Sequence, residues 1–376
     1  MPNLERLPLL AVSPGTSRSV LVRRYGKAGA RPKAYLQAAL HANELPGVLV
    51  LHHLCMRLDA AEQRGAIKGE IVVAPTANPI GLAQNINGQQ NGRFELGGGG
   101  NFNRNFPRLA EAVEKKVGNR LGDDADANVA TIRAALIEAA NELAPRTEHE
   151  SLRKTLLSQS IDADIVLDLH SHGEAVLYLY LPATFWPAAS DLPAQLGCKR
   201  VLTWEKDDGH AFDEANGSTW LALAKTFPDR PIPPSCLGVT IELRGHTQVS
   251  DEVNEKDADN LFRFLQRRGL IDGDPGPLPL LACDAAPADG IDHLRAPSAG
   301  VLVYRKALGE EVAEGEVVAE VVDPLAEDPT RARTPVKART RGVFFGRDVE
   351  RLARPGDPFA TISGPEPLSE PEPSVD

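Results

Sequence analysis

The chain has 376 residues, 42% hydrophobic and 25% charged, with a formal net charge of −11 at pH 7. This composition packs a core and is unlike that of a disordered chain. The acidic balance argues against a general nucleic-acid binder, which needs a basic footprint to displace counterions. No apolar run approaches the ~20 residues that span a bilayer. The opening MPNLERLPLL lacks the basic-then-apolar order of a secretory signal. Cys55, Cys198, Cys236 and Cys283 contain no close pair of the kind that makes a metal knuckle or redox site. A reduced, cytoplasmic protein is therefore expected, with self-association left open.

In chain order, residues from about 18 to 285 alternate short apolar runs with helical patterns, which predicts an α/β body. YLQAAL (35–40) reads as a buried strand and VLVLHHLCMRL (48–58) as a helix, with Val48, Leu51, Leu54, Cys55 and Leu58 at helical spacing. EIVVAPTAN (70–78), ADIVLDLH (163–170) and GVTIELRG (238–245) are further strands, and 108–160 is helical around a loop at GNRLGDDADAN. Strands separated by helices favour a mixed, largely parallel sheet flanked by helices.

At 272–290 the composition turns to Pro, Gly and Asp, the mark of a linker. Beyond it, 296–323 and 338–364 echo each other: Ala296 and Gly300-Val301 match Ala338 and Gly342-Val343 at an offset of 42. The repeat predicts a small all-β domain with internal pseudo-symmetry. The expected organisation is an α/β body over 1–285, a β-domain over 286–364 and a disordered acidic tail over 365–376.

HANELPG places His41 and Glu44 directly after a strand, a spacing that can put both side chains on one metal ion. Catalytic zinc takes three protein ligands and keeps a fourth position open. His170, closing DIVLDLHSH, is the candidate third, because parallel sheets present their ligands beyond the carboxyl ends of their strands. Glu242 in IELRG also ends an apolar strand, where a charge is costly unless it faces a polar cleft or metal. Asn103 and Arg104 follow a glycine-rich loop, and a guanidinium fork there matches a substrate carboxylate. Taken alone, His41 and Glu44 would read as residues at the start of a helix, where Glu is favoured; the distant partners turn the reading towards metal. His52 and His53 lie inside a helical pattern and carry no assigned role. His172 and Asp168 share a strand face with His170, and Asp168 could orient its imidazole.

HANE, NRNFP, LDLHSH and IELRG, in this order, resemble the zinc carboxypeptidase superfamily, and within it the succinylglutamate desuccinylase/aspartoacylase group, over roughly residues 30–250. The resemblance implies one Zn2+ per chain on His41, Glu44 and His170, although cobalt or iron suits the same ligands. It implies Glu242 as general base and acid, and Asn103 and Arg104 as holders of the substrate carboxylate. It further implies Arg93, the only arginine between the NPIG turn and Arg104, as the group that polarises the scissile carbonyl. The function it implies is removal of an acyl group from an N-acylated amino acid or similar small carboxylate. The alternatives are a metallocarboxypeptidase and a catalytically silent binding module.

One departure stands out. Peptidases of this superfamily carry a mobile tyrosine ahead of the general-base strand, and the matching segment HAFDEANGSTW offers Phe212 instead, leaving His210 and Asp213 as possible replacements. The C-terminal repeat resembles the hammerhead of biotinyl and lipoyl carriers, but Lys337, the only lysine between its halves, lacks the flanking methionines of a biotinylation site. A structural or pocket-covering role is expected of it.

Overall fold

The computed structural model describes residues 3–205 and 210–368. Among them, nine strands form one sheet: β1 (Asn3–Pro8), β2 (Ser19–Tyr25), β3 (Lys33–Ala38), β4 (Glu70–Ala74), β5 (Ile165–His172), β6 (Leu177–Pro182), β7 (Arg200–Trp204), β8 (Leu237–Gly245) and β9 (Ala285–Pro287). Their spatial order is β1-β2-β4-β3-β5-β8-β6-β7-β9. The centre, β4-β3-β5-β8, is parallel, as are β6-β7-β9, whereas β1-β2, β2-β4 and β8-β6 are antiparallel.

Helices cover both faces because the central strands are apolar on both. Leu36, Leu167, Leu169, Val239 and Ile241 face α1 (Pro46–Gln63) and the C-terminal helix of the body (Asp251–Arg267). Tyr35, Val166, Val72 and Leu40 face the opposite layer, built by α2 (Ala110–Val117), α3 (Ala125–Glu142), α4 (Glu148–Ser160) and the helix Phe212–Thr226. The helix expected over 48–58 is longer at both ends: Pro46 occupies its first turn, where a missing N–H costs nothing. No helix among the described residues is long and apolar enough to cross a membrane.

The C-terminal repeat is visible in three dimensions. Gly300–Tyr304 and Gly342–Arg347, the corresponding segments, open strands in two different small antiparallel sheets that pack against each other around Leu302, Val318, Phe344 and Ile362. The second of these sheets also takes in the two-residue strand Glu174–Ala175, so the β-module pairs directly with the chain leaving β5. The linker expected over 272–290 is irregular as far as residue 284, and β9 then joins the edge of the main sheet. Of the expected acidic tail, Leu368 still donates its N–H to Asp289 O (3.1 Å), and residues 369–376 lie outside the described residues.

Candidate metal centre

The site begins where β3 stops. Ala39 adopts a left-handed backbone (φ +56°), an expensive conformation for a residue with a Cβ, and turns the chain sharply off the sheet. The Glu44 N–H donates to His41 O (3.0 Å), which closes a turn and sets the two side chains next to each other. α1 then starts against the sheet so closely that a Cβ on Gly47 would lie 2.9 Å from Leu169 Cβ and 3.0 Å from Ala38 Cβ. Only glycine allows this approach, and the approach brings Glu44 onto His170 at the end of β5.

His41, Glu44 and His170 are buried, and their donor atoms all lie within 4.8 Å of one another. His41 Nδ1 is 3.0 Å from Glu44 Oε1, and His170 Nδ1 is 2.8 Å from Glu44 Oε2. Both remaining imidazole nitrogens are engaged. His41 Nε2 meets Asn101 Oδ1 at 2.8 Å, and that oxygen also accepts the Asn103 N–H (2.9 Å), so His41 Nε2 must be the donor. His170 Nε2 donates to Asp168 Oδ2 (2.9 Å), and Asp168 Oδ1 accepts from Gln37 Nε2 (3.0 Å). With Nε2 protonated on each ring, two Nδ1 lone pairs face one carboxylate. Such a set is repulsive unless a cation or added protons intervene. Burial pushes the His41 imidazole down in pKa, against the pull of Glu44, which keeps that lone pair available. This donor chemistry fits a divalent cation, and the three residues can hold one.

Other predicted residues surround this group. Arg93 is placed by Gly92, where a Cβ would come within 2.2 Å of Asn43 N; the Ala42 N–H donates to Gly92 O across the same contact (2.9 Å). Arg93 Nη1 lies 3.4 Å from His41 Nδ1 and 3.9 Å from Glu44 Oε1, while about half of its side chain remains open to solvent. Glu242 stands opposite His170 in the β5–β8 register and shares its face of the sheet. Its Oε2 is buried without a hydrogen-bond partner, and burial, reinforced by Glu44, pushes its carboxyl up to about 8. Asn103 accepts the Phe212 N–H on Oδ1 (2.8 Å) and turns Nδ2 towards His170 (3.4 Å). Arg104 Nη1 donates to Asn103 O (2.8 Å), and its Nε is buried without a partner.

Two candidates for the missing tyrosine sit differently from what their sequence position suggests. His210 accepts from Arg108 Nε (2.5 Å). Asp213 is buried behind the site, where desolvation and the charge of Asp168 push its carboxyl up to about 6. Phe212 is fully buried between Tyr35 and Phe106. The GGGG segment is tied down: Glu95 accepts the Gly97 and Gly99 N–H groups (2.8 and 2.7 Å).

Sequence reasoning missed three residues. Asn101 holds His41, accepting from its Nε2 on Oδ1. His246 donates to Ser171 O (2.8 Å), 3.9 Å from Glu44 Oε1. Tyr178 meets His172 Nδ1 at 3.2 Å. Arg244 lies outside the site: it grips the buried Asp257 with two bonds (2.8 and 3.0 Å) from a left-handed position at the bulge ending β8.

Comparison with known proteins agrees with this architecture. The model of the succinylglutamate desuccinylase/aspartoacylase catalytic domain matches residues 30–267. The N-alpha-acetyl-L-2,4-diaminobutyric acid deacetylase of Halomonas elongata is 25% identical over 351 residues, covering 90% of this chain and 83% of that protein. A succinylglutamate desuccinylase/aspartoacylase family protein from Shewanella amazonensis superposes with a TM-score of 0.82 at 24% identity, over 96% of this chain and 98% of its own. The product-bound ectoine utilization protein EutE (DoeB) of Ruegeria pomeroyi gives 0.67 at 20% identity, over 97% and 95%. At these identities the two structures establish the shared fold.

Proposed function

The chain belongs to the succinylglutamate desuccinylase/aspartoacylase family, and from that premise we propose that it is a zinc-dependent hydrolase that removes the acyl group from an N-acylated amino acid or related small carboxylate. The observation that carries this reading is the convergence of two imidazole Nδ1 atoms on the Glu44 carboxylate, with Glu242 on the same sheet face. Two histidines and one carboxylate suit zinc, one ion per chain, held by His41, Glu44 and His170. Bound there, the ion supplies Lewis-acid polarisation of the amide carbonyl and acidifies water.

The protein's own groups do the rest. Glu242 takes a proton from the attacking water and returns it to the leaving nitrogen. A carboxyl pushed up to about 8 can serve in both directions near neutral pH. Arg93, half-exposed beside His41 and Glu44, stabilises the oxyanion that forms on the carbonyl oxygen. Asn103 and Arg104 hold the substrate carboxylate, and the unpartnered Arg104 Nε belongs to a guanidinium with capacity to spare.

The name of the Halomonas relative makes N-acetylated amino acids the first substrates to test. The four free cysteines suit a reducing, cytoplasmic setting. Residues 1–285 form the hydrolase body in this reading, and 286–364 a module that closes one side of its pocket. The test is Glu242→Gln: it is expected to keep its metal and lose at least about a hundredfold in kcat, as removal of a general base does. Turnover at the wild-type rate would show that Glu242 is not the base.

A further inference from the structure

The strand that carries the general base does not run on regularly beyond it. We propose that Arg244 is a positioning residue: tied to Asp257, it holds β8 in a bulge that keeps Glu242 level with His170 and its face of the sheet clear. This rests on the reading of Glu242 as the base of an N-acyl amino acid hydrolase.

Glu242 pairs with His170 and Gly245 with His172, so three steps along β8 answer two along β5. An extra residue taken up in this way bends a strand and re-aims its side chains. On its other edge β8 stays regular, with Glu242 opposite Tyr178 and Leu243 opposite Leu177. The irregularity therefore centres on Arg244, whose backbone is left-handed (φ +63°). That conformation crowds the Cβ of any residue and is open without strain only to glycine.

Side chains alternate between the two faces of a strand. Val239, Ile241 and Leu243 pack in the core shared with α1 and the helix Asp251–Arg267, and Glu242 points the other way. Continued regularly, β8 would put residue 244 on the face of Glu242, two positions along. The left-handed turn instead sends the Arg244 guanidinium to the helix, where it donates to both oxygens of the buried Asp257 (2.8 and 3.0 Å). The far side of the bulge is fastened separately. The His246 N–H donates to His172 O (2.9 Å) and His246 Nε2 to Ser171 O (2.8 Å). Between these fastenings Glu242 keeps its Oε2 free of partners. The two bonds to Asp257 offset the strain at 244. Without them the residue relaxes towards an ordinary strand conformation and brings its side chain round to the base.

Steady-state kinetics of the zinc-loaded full chain test this by comparing Arg244→Met with Arg244→Gly. Both lose the ion pair, but glycine takes the left-handed conformation freely and has no side chain to intrude. Arg244→Met is expected to lose about tenfold in kcat on the N-acetyl amino acid that the wild type turns over best, with KM within about twofold and zinc content unchanged. Arg244→Gly should stay within about twofold of the wild-type kcat, although both variants melt lower. Should Arg244→Met fail to fold, Asp257→Asn carries the same comparison. It keeps the shape and loses one acceptor, so kcat should fall about fivefold and recover when Arg244→Gly is added. Wild-type kcat in the Met or Asn variant would show that the pair only stabilises the fold. Equal kcat losses in the Met and Gly variants, or a change confined to KM, would show that the side chain acts directly. Each of these overturns the inference and leaves the hydrolase reading intact. A wild type that cleaves no N-acyl amino acid overturns that reading and this inference with it.

Discussion

Replacing Asp168 by Asn should weaken metal binding far more than it weakens the fold. Asp168 is fully buried and accepts from both sides: from His170 Nε2 at 2.9 Å and from Gln37 Nε2 at 3.0 Å, with Gln37 in turn accepting from the Tyr35 hydroxyl at 2.9 Å. An amide has the same shape but only one acceptor oxygen. Its NH2 must face one of these two N–H donors, and the negative charge that strengthens the imidazole as a ligand is gone. A charge-assisted hydrogen bond contributes about 1.5–3 kcal/mol, and loss of a carboxylate behind a ligating histidine typically costs about 10–100-fold in metal affinity.

The fold recovers part of its loss, because the charge of Asp168 is what helps push Asp213 up to about 6. Removing that charge lets Asp213 ionise more easily. The assay is competition between the stripped protein and a chelator of known affinity, with zinc and with cobalt, alongside thermal melts of the metal-free forms. Affinity equal to wild type in a variant with a lowered Tm would show that Asp168 is only a packing element and that His170 is oriented by something else.

Three further outcomes follow from the same contacts. Arg93→Ala is expected to lower kcat by about 10²–10³-fold with metal content unchanged, as loss of an oxyanion donor does; a rise in KM alone would assign Arg93 to ground-state binding. Arg244→Met leaves the Asp257 carboxylate, 1% exposed on its side chain, without its two-bond partner. The expected loss is about 3–5 kcal/mol in chemical denaturation, and a loss under about 1 kcal/mol would show that water reaches Asp257. His149 is pushed down to about 4, first by burial and then by Arg153, from an ordinary value of 6.5. Its folded-state pKa is depressed, so its contribution is complete above about pH 6.5 and is lost as pH falls towards 4, by up to about 3 kcal/mol. Denaturation curves of His149→Phe should be flatter than wild type across that window, and curves of identical slope would exclude His149 as the source.

Much of this site is legible in the sequence because parallel strands end where ligands bind. His170 and Glu242 each terminate an apolar run that reads as a fully buried strand, and burying a polar group in that place is costly unless a cleft or a ligand meets it. His41 and Glu44 are readable for the same reason, as they follow β3 at once. Asn101 is not readable, because its role depends on an oxygen fixed by the Asn103 N–H inside an irregular loop, and no periodicity marks it. Arg93 is named by the resemblance alone, because its place beside His41 depends on the close approach of Gly92 to the HANE turn, which no local pattern announces. The edge strand β9 is three residues long and ends in proline, which is too short a signal to separate from a linker.

The zinc-hydrolase proposal is tested most directly by the hydrolysis of a panel of N-acyl amino acids by one preparation in three states: as purified, chelator-treated, and restored with one equivalent of zinc per chain. Turnover should be lost on chelation and recovered at one equivalent, with no recovery for Glu44→Ala, which also fails to retain the ion. Full activity in the chelated protein, or restoration of the Glu44 variant to the wild-type rate, would contradict the proposal.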